Sequence, residues 1–184
     1  MPRPLRDTVS GIFHVTTRGA GPCDVFLNDD DRTLFCSLLV QQLVRESWVC
    51  LSFCLMSTHF HLLLEVPDAS LPAGMQRLNG FYARNFNLRH GRTGHLFGER
   101  YNAVRAESDE HMRELIRYIA RNPVRAGLCD RPEDWYWSSY CGSIAPRTSV
   151  FPFVDPSRLV AYFGRAPERA RRRLRAFVDA ADAD

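Results

Sequence analysis

Met56-Ser57-Thr58-His59-Phe60-His61-Leu62-Leu63-Leu64-Glu65 is apolar enough for a buried strand, yet it carries two histidines one residue apart. Successive side chains on a strand point to opposite faces. His59 and His61 therefore share one face, while Phe60, Leu62 and Leu64 take the other. Taken singly, each histidine is well explained as a hydrogen-bonded structural residue. Side by side, two imidazoles make half of a divalent-metal site. What completes that half must come from elsewhere in the chain.

On the N-terminal side, Gly11-Ile12-Phe13-His14-Val15-Thr16-Thr17-Arg18-Gly19 is β-branched and aromatic, and the glycines at 19 and 21 end it. Phe13 and Val15 share one face of this first strand; His14, Thr16 and Arg18 share the other. Asn28 is placed to cap a helix whose first turn holds Asp29, Asp30 and Asp31. Leu34, Leu38, Leu39, Gln42 and Leu43 continue at helical spacing to about Ser47. Trp48 to Met56 forms a buried second strand, which makes the histidine stretch the third. Pro67 to Ser70 breaks it, and a helix from about Pro72 to Leu88 turns Met75, Leu78, Phe81, Tyr82 and Phe86 inward. A glycine-punctuated basic loop (His90 to Phe97) leads to a fourth strand, Arg100 to Arg105.

The order β-α-β-β-α-β is that of a ferredoxin-like α+β domain with an antiparallel sheet. Its first and third strands lie side by side at the centre. His14, Thr16 and Arg18 are then expected to flank His59 and His61 on an open face, with the two helices on the other.

Beyond this core, Ser108-Asp109-Glu110 caps a further helix that Pro123 is expected to stop. Met112, Leu115, Ile116 and Ile119 are its apolar stripe. Tyr118 and Asn122 lie one turn apart on one face, accompanied by Arg117, Arg121 and Arg125. Trp135, Trp137 and Tyr140 form an aromatic cluster, and Pro146 to Pro156 has the composition of a linker. A last helix, Pro167 to Ala180, carries Ala170, Leu174, Phe177 and Val178 inward. The expected division is a main domain over residues 1–142 and a C-terminal linker with an Arg-rich helix over 143–184.

Composition narrows the class. In 184 residues, 45% are hydrophobic and 24% charged, as in a soluble globular protein. No apolar run has the length of a membrane span and the start lacks a signal-peptide core, so no membrane association and a cytoplasmic location are expected. The six cysteines suit free, mostly buried thiols. All 24 basic residues are Arg, and they cluster: residues 71–105 hold six against the single acid Glu99, and residues 158–175 hold seven against Glu168. Concentrated guanidinium suits phosphate contact. Arg84, Arg89, Arg92, Arg100 and Arg105 are candidates for tracking a nucleic-acid backbone. His95, Phe97 and Tyr101 are candidates for base stacking.

The ordered set of motifs resembles the HUH single-tyrosine transposase family, closest to the REP-associated tyrosine transposases. The resemblance rests on His59-Phe60-His61, His14 to Gly19, Gly91 to Tyr101, Tyr118-Ile119-Ala120-Arg121-Asn122-Pro123-Val124-Arg125-Ala126-Gly127 and Trp135 to Tyr140, and covers about residues 8–142. It implies a metal-dependent DNA nickase and strand transferase acting on single-stranded DNA beside hairpins. Tyr118 is implied as the nucleophile. His59, His61 and Asn122 are implied as ligands of Mg²⁺ or Mn²⁺, with Asn122 where many relatives have Gln. His14, Arg18 and Arg117, Arg121 and Arg125 of the tyrosine helix complete the expected DNA contacts. A monomer or a homodimer is compatible with the resemblance.

Tyr82 is the competing nucleophile, but it has no amide one helical turn on and its spacing from Leu78 and Phe86 fits a core position. Two alternative functions follow from the same residues. One is a metal-dependent hydrolase using the histidine pair on a small substrate. The other is a DNA-hairpin-binding domain without catalysis.

Overall fold

The computed structural model describes residues 10–145 and 151–180. Four strands, β1 (Gly11–Arg18), β2 (Val49–Leu55), β3 (His59–Val66) and β4 (Asn102–Arg105), form one sheet in the order β2-β3-β1-β4. Every neighbouring pair is antiparallel. With α1 (Asp29–Glu46) after β1 and α2 (Leu71–Arg89) after β3, this is the ferredoxin-like arrangement. Twelve residues of irregular chain (90–101) separate α2 from β4, which is shorter than the sequence suggests because Arg100 and Tyr101 lie outside the ladder.

Local chemistry explains the helix boundaries. Asn28 accepts a hydrogen bond from the Asp31 amide, and the Asp31 side chain accepts from the Asn28 amide in return, so α1 begins with a capping box. It ends at Ser47, in the left-handed region at φ 54°. α2 opens with Pro72 in its first turn, where a missing N–H costs nothing. Its inward face holds Met75, Leu78, Tyr82 and Phe86, but Phe81 is 55% exposed and does not join the core. Gly74 lets α2 approach the buried Trp48, whose Nε1 donates to Ser70 Oγ at 2.8 Å.

The sheet separates two apolar layers. On one face Phe13, Val15, Phe60, Leu62 and Leu64 pack against α1 and α2, with Phe35 and Tyr82 at the centre. The other face is not open, as the sequence suggests. Leu51, Cys54 and Leu63 there meet Met112, Leu115, Ile116 and Ile119 of α3 (Asp109–Arg125). Leu159 and Val160 of α5 (Pro156–Ala161) and Ala170, Leu174 and Val178 of α6 (Pro167–Asp179) complete this second layer, with Tyr140 of the short α4 (Tyr140–Ile144). The C-terminal helix thus shares a core with the tyrosine helix. An amphipathic stripe must be buried somewhere, and the uncovered half of the sheet is the apolar surface within reach.

Two further expectations are corrected. Pro123 does not stop α3: it sits in the last turn, and the helix continues to Arg125. Of the expected linker, residues 146–150 lie outside the described residues, while Phe151 and Phe153 pack against Phe53 at ring-centroid distances of 4.8 and 5.5 Å. Among the described residues no helix is long and apolar enough to cross a membrane. The cysteines are free, with Cys50 and Cys54 buried.

Candidate active site

The register of β1 on β3 sets Thr16 opposite His61 and Arg18 opposite His59. Directly opposed residues share a face, so His14, Thr16 and Arg18 do flank the histidine pair. His14 is paired with Leu63, two positions along from His61, and the diagonal is short enough for the two rings to meet. They stack at a centroid distance of 5.2 Å, and His14 Nε2 lies 3.0 Å from His61 Nδ1. His59 stands edge-on to His61 at 4.9 Å, with its Nδ1 3.0 Å from Thr58 Oγ1.

The tyrosine arrives from above. α3 crosses the histidine face so that the Tyr118 ring stands edge-on to His61 at 5.5 Å and to His14 at 5.7 Å. Tyr118 is nonetheless 41% exposed. Arg125, seven residues on and therefore on the same face, holds its guanidinium 5.6 Å from the Tyr118 ring centre. Asn122 is buried beneath Tyr118 and donates its Nδ2–H to the Tyr118 carbonyl at 2.7 Å. That bond satisfies one of the amide's N–H groups and leaves its carbonyl oxygen as an acceptor toward the histidines.

Burial dominates the electrostatics. His61 is lowered to about 2, chiefly by desolvation and then by the like charges of His14 and His59, with the Asn122 amide opposing. Desolvation likewise lowers His14 to about 4, helped by His111, and His59 to about 4, helped by Arg18. All three imidazoles are therefore neutral at physiological pH and carry lone pairs.

His61 Nε2 is buried and, apart from the nearby Asn122 amide, meets no hydrogen-bonding group of good geometry. A buried acceptor in that condition is costly unless something meets it, and a divalent cation does so. Among the described residues no three His, Cys, Asp or Glu side chains converge as a metal site. A cation here has to draw on the carbonyl of Asn122 beside the two imidazoles, a donor set that suits Mg²⁺ or Mn²⁺ with water in the remaining positions. The residues present fit such an ion.

Tyr82 has a different setting. It is fully buried, donates to the Val25 carbonyl, and burial pushes its phenol far above the ordinary range. It is a core residue.

The expected DNA contacts are dispersed. His14 is buried and turned to His61 rather than to the surface, and Tyr101 is only 6% exposed. Arg89 pairs with Asp30 at 2.5 Å, and Arg92 donates to Cys23 Sγ. Arg121 donates to the Val178 carbonyl at the end of α6, which makes it a helix-joining residue. Arg117 pairs with Glu114 and lies over Phe177 at 5.0 Å. Arg18, Arg84, Arg100, Arg105 and Arg125 are exposed. Glu65, on the histidine face, is held by Arg158 at 2.5 Å, well placed for structure rather than for a metal.

His111 is a further residue of the site that no motif marks. Together with Glu114, Arg117, Arg121 and Arg125 it lines a cavity of about 270 Å³ beside Tyr118. The signal was present, since residues 111, 118 and 125 recur every two helical turns.

Fold and site together define an α+β protein in which a tyrosine helix closes over a histidine strand. In sequence, residues 20–122 match the model of the IS200-like transposases, and the chain belongs to that family. Its activity class is accordingly that of a DNA transposase. A structure similar to it is that of a REP-associated tyrosine transposase bound to a REP hairpin. The TM-score is 0.68 at 14% identity, over 84% of this chain and 92% of that one. No curated protein matches the chain in sequence.

Proposed function

We propose that this transposase nicks and rejoins single-stranded DNA near hairpins through a covalent 5′-phosphotyrosine at Tyr118. The observation that carries the reading is the meeting of an exposed tyrosine with the histidine strand: the Tyr118 ring lies 5.5 Å from the neutral His61, which stands 4.9 Å from His59.

In this reading the Tyr118 oxygen attacks the phosphorus of a DNA phosphodiester. The new O–P bond forms as the P–O3′ bond breaks. The phenolic proton leaves to solvent and the departing oxygen takes one up, so the products are a free 3′-hydroxyl and a strand joined to Tyr118 by its 5′ phosphate. That ester keeps the bond energy needed to rejoin the strand to another 3′ end. His59, His61 and Asn122 would hold Mg²⁺ or Mn²⁺, which supplies charge neutralisation for the phosphate and the departing oxygen. His14 holds the His61 ring in place from behind. Arg125, over the Tyr118 ring, and the exposed Arg18, beside His59, supply positive charge where the phosphate backbone must pass.

Labelled single-stranded oligonucleotides that fold into hairpins with short flanks, incubated with the protein and Mn²⁺, test this. A covalent protein–DNA band that needs the cation and disappears in Tyr118→Phe is expected. Binding without any such band would indicate a hairpin-binding domain, and cleavage that survives Tyr118→Phe would indicate a metal-dependent hydrolase.

A further inference from the structure

The two histidines of the strand are held in the same way. His61 Nδ1 lies 3.0 Å from His14 Nε2, and His59 Nδ1 lies 3.0 Å from Thr58 Oγ1, so each ring is bonded through Nδ1. We infer that Thr58 is a positioning residue of the metal site: its hydroxyl accepts the His59 Nδ1–H and thereby keeps the Nε2 lone pair for the cation. The inference rests on the reading of His59 and His61 as ligands of Mg²⁺ or Mn²⁺.

A neutral imidazole carries one N–H and one lone pair, and the partner of one nitrogen decides the state of the other. Were the hydroxyl the donor, Nδ1 would be its acceptor and the ring proton would sit on Nε2. Neither nitrogen could then meet a metal. With the hydroxyl as acceptor, Nε2 is free, and His59 presents the same atom as His61. A threonine oxygen has two lone pairs and a hydrogen that rotates, so it can take this role. The register partner of His59 is Arg18, a donor only, which cannot accept the Nδ1–H in its place.

The frame around Thr58 makes the contact a fixed one. Residues 56–58 form the turn between β2 and β3. The Met56 amide donates to the His59 carbonyl at 2.9 Å, which closes the turn. From the segment after β1, the Gly19 amide donates to the Thr58 carbonyl at 2.9 Å. The Val25 and Phe26 amides donate to the Ser57 carbonyl at 2.8 and 3.1 Å. Only glycine fits at position 19 of that segment, because a Cβ there would lie 2.3 Å from the Cys23 carbonyl oxygen. Thr58 is thus held by its backbone while its side chain holds His59. Groups that hydrogen-bond a ligating histidine set its tautomer and ring orientation, and losing one costs about 10- to 100-fold in metal affinity.

The full chain without DNA tests this. With the histidines labelled in nitrogen-15 and no metal present, long-range proton–nitrogen correlations in magnetic resonance report the tautomer of each ring. The His59 signals are those missing from His59→Gln. Wild-type His59 is expected in the Nδ1–H form. Thr58→Val keeps the shape and removes the hydroxyl; it should lose that preference and bind Mn²⁺ about 10- to 100-fold more weakly by calorimetry. Thr58→Ser, which keeps a hydroxyl, should retain the tautomer and most of the affinity. Should Thr58→Val fail to fold, Thr58→Ala and the wild-type spectrum decide. An Nε2–H form in the wild type, or wild-type Mn²⁺ affinity in Thr58→Val, overturns the role of Thr58 and leaves the metal reading intact. A wild type that binds no Mn²⁺ overturns both. Neither readout uses DNA, so failure here is distinct from failure of the Tyr118 adduct to form.

Discussion

His14 Nε2 and His61 Nδ1 lie 3.0 Å apart across the two central strands, and this contact decides which way the His61 ring faces. One ring must donate and the other accept; with His61 Nδ1–H as the donor, the bond holds the ring with its Nε2 lone pair toward Asn122. Second-sphere partners of this kind typically matter by 10- to 100-fold in affinity or activity. His14→Ala is expected to weaken Mn²⁺ binding, followed by calorimetry, and to slow adduct formation by a factor within that range. His14→Gln, which keeps a hydrogen-bonding group, should recover part of both. Equal Mn²⁺ affinity in wild type and His14→Ala would remove His14 from this role.

The tyrosine helix is joined to the C-terminal helix by Arg121, whose guanidinium reaches the Val178 carbonyl at 2.9 Å. Hydrogen bonds from charged groups contribute about 1.5–3 kcal/mol when buried, and less at a half-exposed site such as this. Arg121→Ala should therefore lower stability by about 1 kcal/mol. It should also increase hydrogen exchange in α6 and the last turn of α3 ahead of the sheet. Protection that falls uniformly, or not at all, would contradict the link.

Acid should loosen the protein through its buried imidazoles. Folded His14 and His59 titrate at about 4 against an ordinary 6.5. Between those values the unfolded chain binds protons that the folded chain refuses, so stability falls as pH falls. His61, lowered to about 2, continues the trend further. The melting temperature is expected to decline from about pH 6.5 toward pH 4, and less steeply in His14→Gln, which has one such group fewer. A flat profile over that interval would mean that the histidines are not buried neutral.

Gly74 offers a check on the opposite layer. A Cβ at this position would come within 2.3 Å of Trp48 Cη2, and Trp48 is buried and held by Ser70. Gly74→Ala should cost about 1–3 kcal/mol by overpacking despite the better helix propensity of alanine, a loss readable by urea denaturation.

Much of this architecture was legible because it depends on local periodicity. Alternation placed His59 and His61 on one face, the Asn28 and Ser108 caps marked helix starts, and the order of elements implied the sheet. The relation of Tyr82 to Leu78 and Phe86 already suggested a core residue, and its bond to Val25 agrees. What the sequence hid depends on long-range pairing. The stripe of Met112, Leu115, Ile116 and Ile119 says that α3 is buried but not against what, so the sequence pattern leaves the histidine face open. An exposed Arg and one that reaches another helix look alike in sequence, and the Arg121 bond to the Val178 carbonyl is visible only in the fold. Phe81 shows the limit of spacing itself, since a helix wider in apolar residues than its seat leaves one outside.

The central claim is that Tyr118, and no other tyrosine, becomes joined to DNA. Trapping the adduct with hairpin DNA and Mn²⁺, digesting both components and sequencing the nucleotide-bearing peptide by mass spectrometry tests it most directly. A single modified peptide spanning Tyr118 is expected, absent in Tyr118→Phe and in His61→Ala, and present in Tyr82→Phe. A nucleotide on Tyr82, Tyr101 or any other residue, or an adduct that persists without the Tyr118 hydroxyl, would contradict it.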